Sequence, residues 1–317
     1  MKHLFIVNPA ARQGNRTSFA TSLIEQAFAR RDANYEIYIT KAPGDGARKI
    51  LEDARQEDDL RVYACGGDGT INECAAACTG KVNVAMSCFP CGTGNDFVKL
   101  FGPEKDKFLS IGALVDGEIT PMDIIRVTTK DRTDYSLNIA CVGLDGRIGT
   151  RVHDYDKYPI IGKGRAAYVT CALVNCMKQI TDEVTIRINN QVITGEINCL
   201  AICNGTWYGG SFNPVPTARP DDGILDVLVI HGLPRYKLPL LLTTYAQGRY
   251  AEVPQHVTHY RTDKIILEAD HELIINLDGE AVHANDAEFT LIPGGIRFLH
   301  PKDMDYYRNV ETTVSSH

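Results

Sequence analysis

"YACGGDGTINE", Tyr63 to Glu73, decides how this chain is read. Three glycines and an aspartate stand between an apolar run and a helix-like run. Glycine permits positive φ and leaves no Cβ in the way of an incoming group. A helix that follows such a loop offers its first N–H groups and a positive dipole end to an anion. Strand, glycine loop and helix in that order predict a phosphate cradle at the C-terminal end of a parallel strand. A capping box, Thr70-x-x-Glu73, accounts for Thr70 and Glu73. It does not account for Gly66, Gly67 and Gly69 around Asp68.

The surrounding sequence supplies the sheet. "HLFIVN" (3–8), "YEIYIT" (35–40), "RVYACG" (61–66) and "NVAMSCFP" (83–90) read as strands. Between them, 17–31, 45–56 and 70–78 carry apolar residues at helical spacing, with Phe19, Leu23, Ala27 and Phe28 on one face of the first. Strand and helix in turn predict an α/β domain with a parallel sheet covered on both faces, over about residues 1–125. From there the pattern changes to short β-rich runs with turn signals, "INNQ" and "LDGE" among them. Residues 126–295 read as an antiparallel β-sandwich, with helical inserts at 163–180 and 235–248. The tail from about 296, "GIRFLHP", is strand-like again and is expected to return to the first domain, completing it over 296–317.

Bulk properties narrow the classes. A chain of 317 residues is long enough for two cores. A net charge of −7 argues against a general nucleic-acid binder. No apolar stretch reaches the roughly 20 residues needed to span a bilayer, and the N-terminal apolar run is too short for a signal peptide. The expected location is cytoplasmic. Ten cysteines lack the spacing of a zinc site and read as reduced, small apolar residues. His256 and His259 read as surface histidines.

A second loop repeats the first one's chemistry. "PCGTGNDF" (90–97) again joins a strand end to glycines, a threonine and an aspartate. It is not a P-loop, for G-x-x-x-x-G-K-[ST] is missing, and Phe97 stands where a dinucleotide fingerprint needs glycine. Two such loops from neighbouring strands suit a triphosphate. Together, "GGDGTINE" and "PCGTGNDF" resemble the signature of the diacylglycerol kinase catalytic family, bacterial soluble lipid kinases included. The resemblance continues through Asn8-Pro9, Thr40, "NIACVGLDG" (138–146), "NGTWYGGSFNPVPTARPDDGILDV" (204–227) and "LDGE" (277–280), in family order.

The resemblance implies an ATP- and Mg²⁺-dependent lipid kinase that meets its lipid at the inner face of the cell membrane. Diacylglycerol is the leading acceptor and phosphatidic acid the product. It implies nucleotide contacts from Asn8, Pro9, Thr40, Gly66, Gly67, Asp68, Gly69, Thr70, Asn72, Glu73, Gly92, Thr93, Gly94 and Asn95. It implies an aspartate–water–magnesium network at Asp68, Asp96 and Asp123. A second, structural magnesium would sit on Asp222 and the Ile224 carbonyl, although Arg219 occupies a place where an oxygen ligand is wanted. Asp278 and Glu280 form the implied catalytic turn, and which of them takes the proton stays open. The basic, tyrosine-bearing stretch 147–165 suits peripheral contact with a membrane surface, and relatives raise the expectation of a homodimer. Two other readings compete: an NAD kinase, which shares the G-G-D-G-T loop, and a nucleotide-binding regulator without catalysis.

Overall fold

"HLFIV" is buried from His3 to Val7 and makes the body of strand β1 (Lys2–Val7), a central strand of the first sheet. The computed structural model describes residues 1–11, 17–144, 181–234 and 236–308. Strands β2 (Asn34–Ile39), β3 (Leu60–Gly66) and β4 (Val84–Pro90) join β1 in the order β4-β3-β1-β2, all parallel. Such a sheet is covered on both faces, so β3 and β4 are almost continuously apolar. The crossovers are helices α1 (Thr17–Phe28), α2 (Asp45–Asp53) and α3 (Asp68–Cys78). A 3₁₀ segment, Phe97–Leu109, breaks at Gly102-Pro103 and leads into α4 (Ile111–Val115).

The buried stripe of α1 differs from the sequence expectation. Ala20, Ile24 and Phe28 face inward, while Phe19 is 51% exposed. The ring of Phe28 sets this orientation, lying edge-on to Phe5 at 5.7 Å and to His3 at 5.3 Å. The small Ala20 then lies on the stripe that faces inward.

His3 carries a pH dependence. Its ring is buried, with Nδ1 2.8 Å from the Tyr63 hydroxyl. Burial lowers its pKa from 6.5 to about 4, with a smaller contribution from the nearby Arg61 charge. The unfolded chain therefore binds a proton below pH 6.5 that the folded chain refuses until about pH 4. Stability present above pH 6.5 is lost as the pH falls through that window. After discounting for screening the loss is about 2 kcal/mol. Thermal melts of His3→Gln should show a flatter pH slope there than the wild type; an unchanged slope would assign the acid sensitivity elsewhere.

The second half is antiparallel. Its strands are β5 (Glu118–Thr128), β6 (Thr133–Ser136), β7 (Ile139–Gly143), β8 (Asp182–Ile188), β9 (Gln191–Cys203), β10 (Leu225–His231), β11 (Val257–Thr262), β12 (Lys264–Leu277) and β13 (Glu280–His300), with helix α5 (Leu238–Ala246) before β11. Order runs β11-β10-β9-β7-β12-β13, and β8 pairs with both β9 and β12. Alternate residues serve two cores. Ala140, Val142, Leu200, Ile202, Val227 and Val229 enter one, shared with β8, β12 and β13. Cys141, Cys199, Ala201, Cys203 and Leu228 enter the other, with Leu238, Leu241 and Tyr245 of α5. Asn189 and Asn190, at φ 47° and 62°, make the tight β8–β9 turn expected of "INNQ".

Two units result: Met1–Met122 with the stretch that begins at Gly295, and Asp123–Gly294. The end of β13 lies in the first, where Phe298 pairs in parallel with Met86 of β4; a short helix, α6 (Asp305–Arg308), follows. Among the described residues the eight cysteines are buried and free of disulfides, and no helix is long and apolar enough to cross a membrane. The expected helix at 163–180, the basic stretch 147–165, and Asp145 and Gly146 lie outside the described residues.

Candidate functional site

In the first unit the two glycine loops form one object. Gly67 is extended and precedes α3, whose first turn has no side-chain cap. The Cys91 amide donates to the Gly66 carbonyl at 2.8 Å, which ties the second loop to the first. A Cβ on Gly92 would fall 2.4 Å from the Gly67 Cα, so these backbones approach this closely only because Gly92 has no side chain; a Cβ on Gly67 would be merely tight, at 3.3 Å from the Gly92 Cα. Gly69 differs: it is exposed and a Cβ there would meet nothing within 4 Å. The arrangement is an uncapped helix N-terminus with an open approach, which suits an anion such as phosphate.

Neighbouring side chains hold that geometry. Asn8 accepts from the Ala10 amide at 2.9 Å and donates from Nδ2 to the Thr70 hydroxyl at 2.9 Å. The loop after β1 is thereby pinned to the first turn of α3. Thr40 extends β2 beside β1, its amide donating to the Val7 carbonyl at 3.0 Å. Asn95 sits at φ 48°, donates to the Gly92 carbonyl at 3.0 Å, and keeps a buried Oδ1 without a partner. Thr93 is exposed at the loop tip, while Asn72 is buried on α3.

The expected capping box does not form. Glu73 reaches across to α2 and accepts from the Gly44 and Ala47 amides at 3.1 and 2.9 Å. One carboxylate thus satisfies the start of a neighbouring helix whose own N-cap is a glycine. Glu73 positions α2, a different task from the nucleotide contact expected of it.

The carboxylates are heavily engaged. Asp68 accepts from the Phe97 amide at 3.2 Å, and its other oxygen faces Gly94, as does Asp96. Asp96 is buried and ion-paired with Lys99. In the second unit, Asp123 is 4% exposed and accepts from the Gly294 and Gly223 amides at 2.7 and 2.8 Å. Burial still pushes its carboxyl above the usual range. Among the described residues no group of three His, Cys, Asp or Glu side chains is arranged to hold a metal.

Asp278 and Glu280 separate in role. Asp278 occupies the β12–β13 turn at φ 51°. Its carboxylate accepts from the amides of Leu137, Asn138 and Ile139 at 2.7, 3.1 and 2.9 Å, and from the Ser136 hydroxyl at 3.0 Å. Burial raises its pKa while these donors oppose the rise. Glu280, at the start of β13, is exposed.

The acidic turn after Arg219 is closed by protein groups. Asp221 takes a two-pronged ion pair from Arg219. Asp222 accepts from the Ile224 amide at 3.1 Å and from Arg261 at 3.0 Å. His259 is not a solvated surface histidine: it bridges Asp226 at 2.7 Å and the Tyr250 hydroxyl at 3.2 Å. These donors do not fit a magnesium on Asp222.

A family model described as "Diacylglycerol kinase catalytic domain" matches residues 2–127, and one described as "YegS C-terminal NAD kinase beta sandwich-like domain" matches 138–300. The chain belongs to the YegS-like family of diacylglycerol kinase-domain proteins. A "Probable lipid kinase YegS-like" of Cronobacter sakazakii is 31% identical over 271 residues, 84% of this chain and 87% of the relative. One of the same description from Klebsiella pneumoniae is 30% identical over 281 residues, 88% and 91% of the two chains. The crystal structure of a putative diacylglycerol kinase from Bacillus anthracis str. Sterne shares the fold, with a TM-score of 0.73 over 96% of this chain and 98% of that one, at 23% identity. Within this family two residues that sequence reading missed stand out. Lys99 lies three positions after Asp96, a spacing from which pairing was readable. Arg261 needs the strand register to be seen.

Proposed function

We propose that the chain transfers the γ-phosphoryl group of Mg·ATP to a lipid hydroxyl, with diacylglycerol as acceptor and phosphatidic acid as product. The observation that carries this reading is the Gly67–Gly92 contact beside an uncapped α3 and the open approach at Gly69. Phosphoryl transfer asks for held phosphates, offset charge and an aligned acceptor. Amides of residues 66–70 and 92–94 are the proposed phosphate donors, with hydroxyls from Thr70, Thr93 and Thr40. The tie between the two loops supports this reading, since backbone held in place needs little reorganisation to meet a phosphate. Asp68 is the carboxylate assigned to meet the magnesium of Mg·ATP, which would offset phosphate charge. Asp96 and Asp123 already hold Lys99 and two backbone amides, and the reading gives them loop-shaping roles.

Glu280 is assigned as the proton acceptor. The lipid oxygen bonds to the γ-phosphorus, the bond from that phosphorus to the β-bridging oxygen breaks, ADP leaves, and the hydroxyl proton passes to the carboxylate. Asp278 is assigned as a positioning residue, since three donors converge on its Oδ2 and the Ile139 amide takes its Oδ1.

Labelled ATP, offered with diacylglycerol micelles, with a sphingoid base and with NAD in separate reactions, tests the reading. Label in phosphatidic acid is expected. Label on the sphingoid base alone would change the acceptor, and label on NAD alone would overturn the lipid assignment.

Gly69→Ala separates fold from chemistry. Alanine inside a helix is favoured over glycine by roughly 0.5–1 kcal/mol, and the site has room for it. The variant should therefore melt no lower than wild type yet lose about tenfold or more in kcat/KM for ATP, because the methyl intrudes where phosphate is to sit. Full activity would move the phosphates off this turn.

A further inference from the structure

The resemblance implies a structural magnesium on Asp222 and the Ile224 carbonyl, just before β10, and the surroundings of Asp222 argue otherwise. Four carboxylates crowd there: Asp123, Asp221, Asp222 and Asp226. Asp222 is repelled by both Asp226 and Asp123 and attracted by Arg261, and Asp123 is repelled by Asp221. Such a cluster needs positive charge or donors. The second unit provides both from its own chain.

Strand register puts the cation in place. β10 and β11 run antiparallel with Asp226 directly across from Arg261. Opposite charges at facing positions stabilise a strand pair. From there the guanidinium reaches two acids, Asp222 at 3.0 Å and Asp226 at 3.6 Å. His259, two residues earlier on the same face of β11, takes Asp226 at 2.7 Å. Arg219 takes Asp221, and the amides of Gly223 and Gly294 take Asp123. Each of the four carboxylates has a protein partner. A magnesium on Asp222 would have to share that carboxylate with the Arg261 guanidinium, whose charge repels a dication, and magnesium gives up its hydration reluctantly.

We propose that in this chain Arg261 closes the acidic turn in place of a divalent cation, so that the β10–β11 end of the second unit is built without metal. The guanidinium spans Asp222 and Asp226 as one planar group, a task suited to arginine through its fixed fork of donors.

The test is thermal unfolding of the full chain without nucleotide, in EDTA or in millimolar magnesium at matched ionic strength. Wild-type protein should melt at the same temperature in both. Arg261→Ala uncovers Asp222 and Asp226. It should melt lower in EDTA and recover about 2–4 °C in magnesium at roughly tenfold excess over its Kd. Arg261→Lys, which keeps the charge, should stay insensitive to magnesium. A wild-type magnesium shift that Asp222→Asn abolishes would overturn the proposal, as would an Arg261→Ala variant that folds and gains no response. A wild-type shift that survives Asp222→Asn would place that ion elsewhere and leave Arg261 closing the turn. If Arg261→Ala does not fold, the wild-type and Asp222→Asn melts still decide.

Discussion

Glu280→Gln should lower kcat about 10²–10⁴-fold, the usual contribution of a positioned base, and leave the melting temperature close to wild type. Glu280 is exposed at the start of β13, so the neutral isostere creates no buried orphan. Asp278→Ala should fail in the opposite way. It strips the acceptor from three amides and a hydroxyl across Ser136–Ile139. An unsatisfied buried donor costs about 1–3 kcal/mol, so several kcal/mol of stability should go with it. Asp278→Asn retains one acceptor oxygen and should lie between. The check is paired kcat and Tm for the three variants. A Glu280→Gln enzyme that turns over normally, or an Asp278→Ala protein that melts like wild type and merely slows, would reverse the two roles.

Asp68→Asn should be the second large loss, about 10²–10³-fold in kcat with a stable fold. The amide side chain retains an oxygen for the Phe97 N–H, so the loop keeps its shape. What disappears is the negative charge at the start of α3. If Asp68 meets the ion of Mg·ATP, the remaining activity should need more magnesium to saturate. A magnesium curve identical to wild type, with only the rate reduced, would assign Asp68 to loop structure.

Much of the fold was legible because it repeats simple periods. The parallel strands are uninterrupted apolar runs between helices, and the second half alternates with asparagine and aspartate–glycine turns where chain reversal is needed. The glycine loops were legible for a related reason: no side-chain role explains three glycines around Asp68. Other features depend on partners far along the chain. Glu73 read as a local cap because its spacing from Thr70 fits one, yet the amides it satisfies belong to Gly44 and Ala47. Asp278 and Glu280 look equivalent in "LDGE", and only the folded chain lays Ser136–Ile139 against one of them. His259 read as a surface group because its acid, Asp226, is 33 residues away. The inward face of α1 was misjudged because two apolar rows overlap and a ring on the sheet selects between them.

The contact between Gly67 and Gly92 has a consequence for inheritance and for engineering. Neither loop is a portable module, because each is the other's wall. A larger residue at Gly92 would collide with backbone, and no change at Gly67 makes room, since glycine is already the smallest residue. Compensation between the two positions is therefore closed off. Transplanting "GGDGT" alone into another parallel sheet should give a loop of the right composition and the wrong shape. A working graft would have to move both strand ends, with their shared spacing, as a single piece.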